Sequence, residues 1–366
     1  MSNPGVTDST DFLALFSSVT LYGLLTSLDD DDDDSKERSI TLIREQSFPA
    51  KRYTSDLEGH TPVGEQQWDA IPPPVDGLHA DLKITDSQLG EGRMGQVFAA
   101  HLVSLRKSIR GETLPDGCIP LPSQFCIKLA KPEYIRSLAR EAWFYEQLSK
   151  KDSGFPAGVI TPICFGFFAC RLPDNVQIRS WLSIEIELDE LSDVSPEGGE
   201  PVYDLLDDDE EGWYCYFDDG RRSHLDSPWH LKQWMARADR SPFVGILITE
   251  RLGTQLPPKF SIPSEDLVRG LPKEIRTELL AVLEDLNTVG ILHGDMKFNN
   301  VMSRASESQW LSLSSEVCPQ HGRVHPWRLI DFDRSYKFNP SNPIDKWYVT
   351  GIQNSVLDDW YLRGPS

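Results

Sequence analysis

Apolar residues fall in short alternating or continuous runs over much of the chain and recur at helical spacing in two long stretches. Leu82–Leu89 and Phe98–Val103 read as strands on either side of Gly90-Glu-Gly92-Arg-Met-Gly95-Gln-Val97. Phe125–Ala130 reads as another strand, with Lys128 set among apolar neighbours. From 132 to 149, Ile135, Leu138, Ala142, Tyr145 and Leu148 recur at three- and four-residue steps, which predicts a helix. Glu141 flanks its apolar stripe and Glu146 falls on the solvent side. Val159–Cys170, Trp181–Leu188 and Phe243–Thr249 complete the strand-like runs, the second half-exposed and the third buried. Pro272–Val289 is amphipathic, with Pro at its start and Gly290 just past its end, as a helix requires. Phe12–Leu28 is the long apolar stretch near the start. Asp8 and Asp11 precede it, and Ser17, Ser18, Thr20, Thr26 and Ser27 interrupt it, which fits neither a signal peptide nor a membrane span. It reads as a helix docked on the body of the protein or on a partner.

Composition narrows the class. A chain of 366 residues with 39% hydrophobic content can bury a real core, as two domains or one two-lobed domain with tails. The formal charge of -21 argues against a nucleic-acid binder, which needs a basic face. Much of that charge is segregated into Asp29–Asp34 and Asp204–Glu211. The first run repels itself, so residues 1–75 read as a largely disordered acidic extension that ends in the stiff Ile71-Pro-Pro-Pro74 linker. An acidic and aromatic insertion at about 172–242 offers a surface for a protein partner. The six cysteines (118, 126, 164, 170, 215, 318) include no C-x-x-C pair, which suits reduced thiols in an intracellular protein of the cytoplasm or nucleus. Cys318-Pro-Gln-His321, with His325 nearby, is half of a zinc-site pattern. Without a second cysteine pair it reads as loop residues.

The candidate chemistry lies in Ile291–Met302, I-L-H-G-D-M-K-F-N-N-V-M, and in Leu329–Arg334, L-I-D-F-D-R. Apolar runs deliver Asp295 and Asp331 into loops, and Asn300 follows Asp295. Two acids and an amide form a hard-oxygen set suited to Mg²⁺ and to a hydroxyl nucleophile. The glycine segment lies between strands, so it is a hairpin whose bare backbone can lie over phosphates. A dinucleotide fingerprint would need a helix after the glycines, and β-branched and aromatic residues follow instead.

In their order along the chain these features resemble the eukaryotic protein-kinase signature: glycine loop, strand lysine, helix glutamate, hinge strand, H-x-D-x-K-x-x-N, and apolar-D-F. The resemblance covers about Asp81 to Arg334. It implies an α+β, two-lobed protein-kinase-like fold with a small β-rich N-terminal lobe (76–253) and a reduced helical C-terminal lobe (254–340). A C-terminal tail (341–366) would follow. It also implies ATP and Mg²⁺ as cofactors and a protein substrate, while the charge and the polar-studded apolar stretch argue for no nucleic acid and no membrane.

By that resemblance Gly90, Gly92, Gly95 and Val97 cover the nucleotide. Lys128, held by Glu141, binds its phosphates, and Thr249 is the gatekeeper before the hinge backbone of Glu250 and Leu252. Asn300 and Asp331 hold metal, Asp295 orients or deprotonates the hydroxyl, and Lys297 steadies the transferred group. The sequence also departs from the signature. Gly294 stands where the signature has Arg, so control by a phosphorylated activation loop is not expected. Asp333 stands where it has Gly, either filling a left-handed turn or adding a metal ligand. No A-P-E follows. The H-G-D and I-D-F-D segments also resemble aminoglycoside- and choline-kinase-like phosphotransferases, which leaves a small-molecule acceptor as one alternative and an ATP-binding scaffold as another.

Overall fold

The computed structural model describes residues 11–27, 38–47, 72–92, 94–122, 124–131, 134–150, 154–173, 176–178, 243–256, 271–305 and 317–359. In chain order the strands and helices are β1 (Phe16–Tyr22), β2 (Leu25–Ser27), β3 (Ser39–Arg44), β4 (Leu78–Gly92), β5 (Gly95–Arg106), β6 (Phe125–Ala130), α1 (Ile135–Ser149), β7 (Cys164–Arg171), β8 (Val176–Ile178) and β9 (Phe243–Glu250). Then follow α2 (Lys273–Val289), β10 (Ile291–Leu292), β11 (Val301–Ser303), β12 (Trp327–Leu329), β13 (Tyr336–Lys337) and α3 (Pro343–Asp359).

Among the described residues the main sheet closes on itself in the order β1-β3-β7-β9-β6-β5-β4. The closing pair, β1 with β4, is parallel; the others are antiparallel. Closure leaves no edge exposed along the ring. Phe16, Phe125 and Phe165 meet inside the barrel, with ring centroids 5.1–6.4 Å apart. Burial of each such ring contributes roughly 1.5–3 kcal/mol. A second apolar cluster joins α1 to α2 and to the segments that carry Asp295 and Asp331, with Trp143, Leu286 and Phe332 fully buried in it.

The start of the chain departs from expectation. Residues 12–27 of the expected Phe12–Leu28 helix are not helical: Phe12–Ala14 forms one 3-10 turn, and β1 and β2 follow. Nor are residues 11–27 and 38–47 a disordered extension, since β1 and β3 are staves of the barrel. Two of the polar residues that interrupt the apolar run, Ser18 and Thr20, find partners in the interior. Ser18 Oγ lies 2.8 Å from His79 Nδ1, and Thr20 Oγ1 lies 3.0 Å from His79 Nε2 and 2.8 Å from Thr41 Oγ1. Buried polar groups that are fully paired do not oppose burial. The six-Asp run and the Ile71 end of the linker lie outside the described residues, as do residues 179–242 of the insertion, Trp181–Leu188 and its acidic and aromatic part included.

Two further expectations change. Residues 343–359 are not a loose tail, because α3 packs on α2, with Val349 and Leu357 buried and Asn287 Nδ2 3.4 Å from Thr350 Oγ1. Glu146 is not solvated. Its carboxylate is fully buried, 3.0 Å from Arg44 Nη2 and 2.5 Å from Ser47 Oγ, so the N-terminal strand β3 is tied to α1. The other features of α1 and α2 follow the sequence pattern, with Gly290 capping α2 in a left-handed conformation. Among the described residues no helix is long and apolar enough to cross a membrane. The described cysteines are free thiols, Cys118 exposed and Cys164 and Cys318 buried, while Cys215 lies outside the described residues.

Candidate active site

Strand β6 places Lys128 opposite Val97 of β5 and Leu247 of β9, so its aliphatic stem lies on sheet. Its ammonium reaches out to two acids from different elements. Nζ donates to Glu141 Oε2 at 2.6 Å and to Asp331 Oδ1 at 2.5 Å. Glu141 comes from α1 and is buried; Asp331 follows β12 and keeps a partly exposed side chain. Tyr145, one turn beyond Glu141, links the same two residues. Its hydroxyl donates to Glu141 Oε1 at 3.2 Å and accepts from the Asp331 amide at 3.3 Å.

Charge follows from this packing. Burial acts to lower the Lys128 pKa, but the Asp331 and Glu141 carboxylates outweigh it and hold the ammonium firmly protonated. Burial would raise the Asp331 pKa, and the Lys128 charge and hydrogen bond reverse that, so Asp331 stays ionised with a lowered pKa. For Glu141 burial prevails and the pKa rises despite Lys128. Asp333 is pushed up to about 7, first by burial and then by the Asp331 charge.

Asp331 has a left-handed backbone, φ 69°, and is the one non-glycine residue with positive φ among those described. The expectation for Asp333 is thus corrected: the left-handed position is two residues earlier, on the lysine's partner. Such a conformation in a non-glycine residue is costly and persists where its surroundings fix it. Here Arg140 of α1 reaches the segment, with Nε 3.0 Å from Asp333 O and Nη2 2.6 Å from Ser335 O. Phe332 is buried against Tyr145 and His293, with ring centroids 5.3 and 4.7 Å apart.

Helix α2 runs through β10 into His293-Gly294-Asp295. Gly294 has φ 75°, a conformation that an arginine at this position would adopt only with strain. His293 Nε2 lies 2.9 Å from Ile330 O, and Ser335 Oγ donates to His293 O at 2.8 Å, which joins this loop to the Asp331 segment. Burial lowers the His293 pKa and keeps the ring neutral. Asp295 Oδ1 pairs with Lys297 Nζ at 2.9 Å. Asn300 Nδ2 donates to Asp295 O at 2.8 Å, and the Ile330 amide donates to Asn300 O at 3.0 Å. The β11–β12 hairpin pairs Val301 with Leu329, which sets Asn300 beside Ile330 and Asp331. Lys128, Glu141, Asp331, Asn300, Asp295 and Lys297 thus belong to one connected set.

The remaining nucleotide-site candidates divide. Gly90, Gly92, Gly95 and Val97 lie on the β4–β5 hairpin, where Gly92 pairs with Gly95 and Gly90 with Val97. A Cβ on Gly95 would lie 1.9 Å from Leu129 O, so contact with β6 by itself demands glycine there. Gly90 and Gly92 have open space where a Cβ would go. Glu250 is engaged in the fold. Its amide donates to Ile163 O at 2.9 Å, its Oε1 accepts from the Ile163 amide at 3.0 Å, and its carbonyl accepts from Thr249 Oγ1 at 3.2 Å. The neighbouring amides of Arg251 and Gly253 donate to Gln124 O and Ser303 O, whereas the Leu252 amide has no backbone partner among the described residues.

The donor set suits a hard divalent cation. Asp331 offers an ionised, partly exposed carboxylate. Asn300 has its Nδ2 committed to Asp295 O, which leaves the amide oxygen as its ligand atom.

Sequence reasoning missed Tyr145 and Arg140 as parts of this site. Tyr145 was legible only as a core position of α1, and Arg140 carried no signal beyond its neighbourhood to Glu141.

No protein-family model matches the sequence, and no curated protein matches it. Among solved structures the chain is similar to vaccinia related kinase 3, at 12% identity and TM-score 0.32, over 71% of this chain and 50% of that one. It is similar also to a Plasmodium kinase domain, at 13% identity and TM-score 0.29, over 68% of this chain and 50% of that one. The matched part spans half the length of each of these two chains.

Proposed function

We propose that the protein transfers a phosphoryl group from ATP to a hydroxyl, with serine or threonine side chains of proteins as the acceptors. The observation that carries this reading is the ammonium of Lys128 held between a buried helix carboxylate and the ionised Asp331, with Asn300 and Asp295 tied to the same segment. A permanently charged, fixed cation beside a hard-oxygen pair is what a triphosphate and its metal require. In phosphoryl transfer, positioning and charge neutralisation do most of the work.

Lys128 would bind the α- and β-phosphates, which compete with Asp331 for the ammonium, while Glu141 keeps the side chain extended. Asp331 and Asn300 would hold Mg²⁺, which neutralises charge on the phosphates when bound. Asp295 would orient the acceptor hydroxyl or take its proton, and Lys297, half exposed and paired to Asp295, would steady the transferred group. The open backbone at Gly90 and Gly92 would lie over the phosphates, and the Leu252 amide would meet the base.

The test is transfer of label from γ-labelled ATP with Mg²⁺, for the wild type beside Asp295→Asn and Lys128→Ala. Transfer to the protein itself or to generic protein substrates, lowered about 10²-fold or more by either substitution, is the expected result. Turnover only with alcohol or amine metabolites would reassign the acceptor. Nucleotide binding with no transfer would leave a scaffold.

A further inference from the structure

Away from Lys128, four side chains with metal-ligand chemistry converge. Asp285 of α2 meets Cys318, His321 and His325, with one ligand atom from each within 4.8 Å of all the others. Cys318 Sγ lies 3.0 Å from Asp285 Oδ2 and 3.4 Å from His321 Nδ1. His325 Nε2 lies 2.9 Å from Asp285 Oδ2, and His321 Nδ1 lies 3.1 Å from Asp285 Oδ1. A tetrahedral ion with bonds of about 2.0–2.3 Å sets its ligand atoms about 3.3–3.8 Å apart, a spacing that the 2.9–3.4 Å contacts and the 4.8 Å outer limit of the set bracket.

Local structure supports a ligand role. Residues 318–323 form a tight turn in which the Cys318 amide donates to Arg323 O, the Gly322 amide donates to Cys318 O, and Gly322 has φ 63°. The turn brings Cys318 and His321 together in a C-x-x-H-x-x-x-H run. Each histidine also directs its other nitrogen toward a carboxylate: His325 Nδ1 is 3.8 Å from Glu278 Oε2, and His321 Nε2 is 3.6 Å from Glu284 Oε2. Outer carboxylates of this kind orient and strengthen metal-bound imidazoles.

The buried groups are also poorly served by protein partners alone. Asp285, Cys318 and His325 are fully buried. Asp285 Oδ1 makes no contact with hydrogen-bond geometry, even to His321 at 3.1 Å, and His325 Nδ1 and Glu278 Oε2 also make none. Without a metal, the Cys318 thiol and His325 both converge on Asp285 Oδ2 while Oδ1 of the same desolvated carboxylate is left without a donor, whereas a dication satisfies the four ligand atoms at once.

We propose that Asp285, Cys318, His321 and His325 form a structural Zn²⁺ site that fastens α2 to the turn leading into β12. These are the two branches that deliver Asp295 and Asp331. The mixed nitrogen, sulfur and oxygen set suits zinc rather than magnesium or calcium. The site stands independently of the proposed phosphoryl transfer, since its test reads metal content and spectra, not activity.

The test is elemental analysis of the full chain, purified and dialysed against metal-free buffer, followed by Co²⁺ exchange. About one zinc per chain is expected, along with the visible bands of tetrahedral cobalt and a thiolate-to-cobalt charge-transfer band. Cys318→Ser should abolish the charge-transfer band, and His321→Ala, at a less buried position, should cut retained zinc. Glu278→Gln should weaken zinc about 10- to 100-fold in a chelator competition. A folded wild type that retains no zinc after growth with zinc and shows no cobalt bands would overturn the proposal. So would cobalt bands unchanged by both ligand substitutions.

Discussion

The buried pair of Arg44 and Glu146 gives the sharpest test of how the N-terminal strands belong to the fold. Both side chains are almost wholly out of water, 2% and 0% exposed. Arg44 also donates through Nη1 to Phe165 O and lies over the Phe168 ring at 5.5 Å. Arg44→Met keeps most of the volume but leaves the Glu146 carboxylate buried without its counter-charge. Removing one member of a buried ion pair costs about 3–5 kcal/mol. With a shift of about 2–4 °C per kcal/mol for a unit of this size, Tm should fall by roughly 6–20 °C. Because Glu146 and Glu141 share α1, the same substitution should also weaken the nucleotide binding proposed above. Arg44→Met combined with Glu146→Leu removes both charges and should recover much of the loss, since no buried charge is left unpaired and only the neutral Ser47 Oγ and Phe165 O lose a partner. Urea unfolding of the wild type, both single variants and the double variant gives the coupling energy directly. A single variant within about 1 kcal/mol of the wild type, or a double variant whose loss is the sum of the two, would refute the account.

Other consequences follow from the same structure. Gly95→Ala, whose Cβ would meet Leu129 O, should lose about 1–3 kcal/mol of stability. Gly90→Ala, with open space around it, should change stability by less than about 0.5 kcal/mol, and paired denaturation curves separate the two. His79, buried in the barrel, has its pKa lowered from 6.5 by burial and then by Arg106. The unfolded chain therefore binds a proton below pH 6.5 that the folded chain refuses, so this group's contribution to stability is present above that pH and declines as pH falls. An NMR titration of the imidazole should find it neutral below pH 6.5, and a midpoint at or above 6.5 would contradict the packing.

How much could be read beforehand depended on whether the controlling contacts were local. The strands holding Lys128 and Thr249, and the helices α1 and α2, were legible because their apolar residues follow one period without interruption. The motif order also pointed to Lys128, Glu141, Asp295, Asn300 and Asp331, which the structure draws into one connected set. Strands β1 and β3 were not legible, because Ser18 and Thr20 look like a solvent face until His79, some sixty residues on, is seen to pair with them. Glu146 reads as a surface carboxylate for the same reason, since its partner Arg44 comes from a distant strand. Asp285 sits in an amphipathic helix like any polar residue, and the C-x-x-H-x-x-x-H run lacked its fourth member until tertiary structure supplied it. The left-handed backbone of Asp331 has no sequence signal, because it is imposed by Tyr145, Arg140 and the packing of Phe332.

The central claim is that Lys128 and Asp331 jointly receive a metal-bound triphosphate. Calorimetric titration of ATP into the protein, with and without Mg²⁺, tests it most directly when repeated on Asp331→Asn and Lys128→Met. Saturable binding that Mg²⁺ strengthens is expected in the wild type. Asp331→Asn should abolish the Mg²⁺ dependence, and Lys128→Met should weaken binding about tenfold or more. Identical affinities across the wild type and both folded variants, or no binding to the folded wild type at all, would contradict the claim.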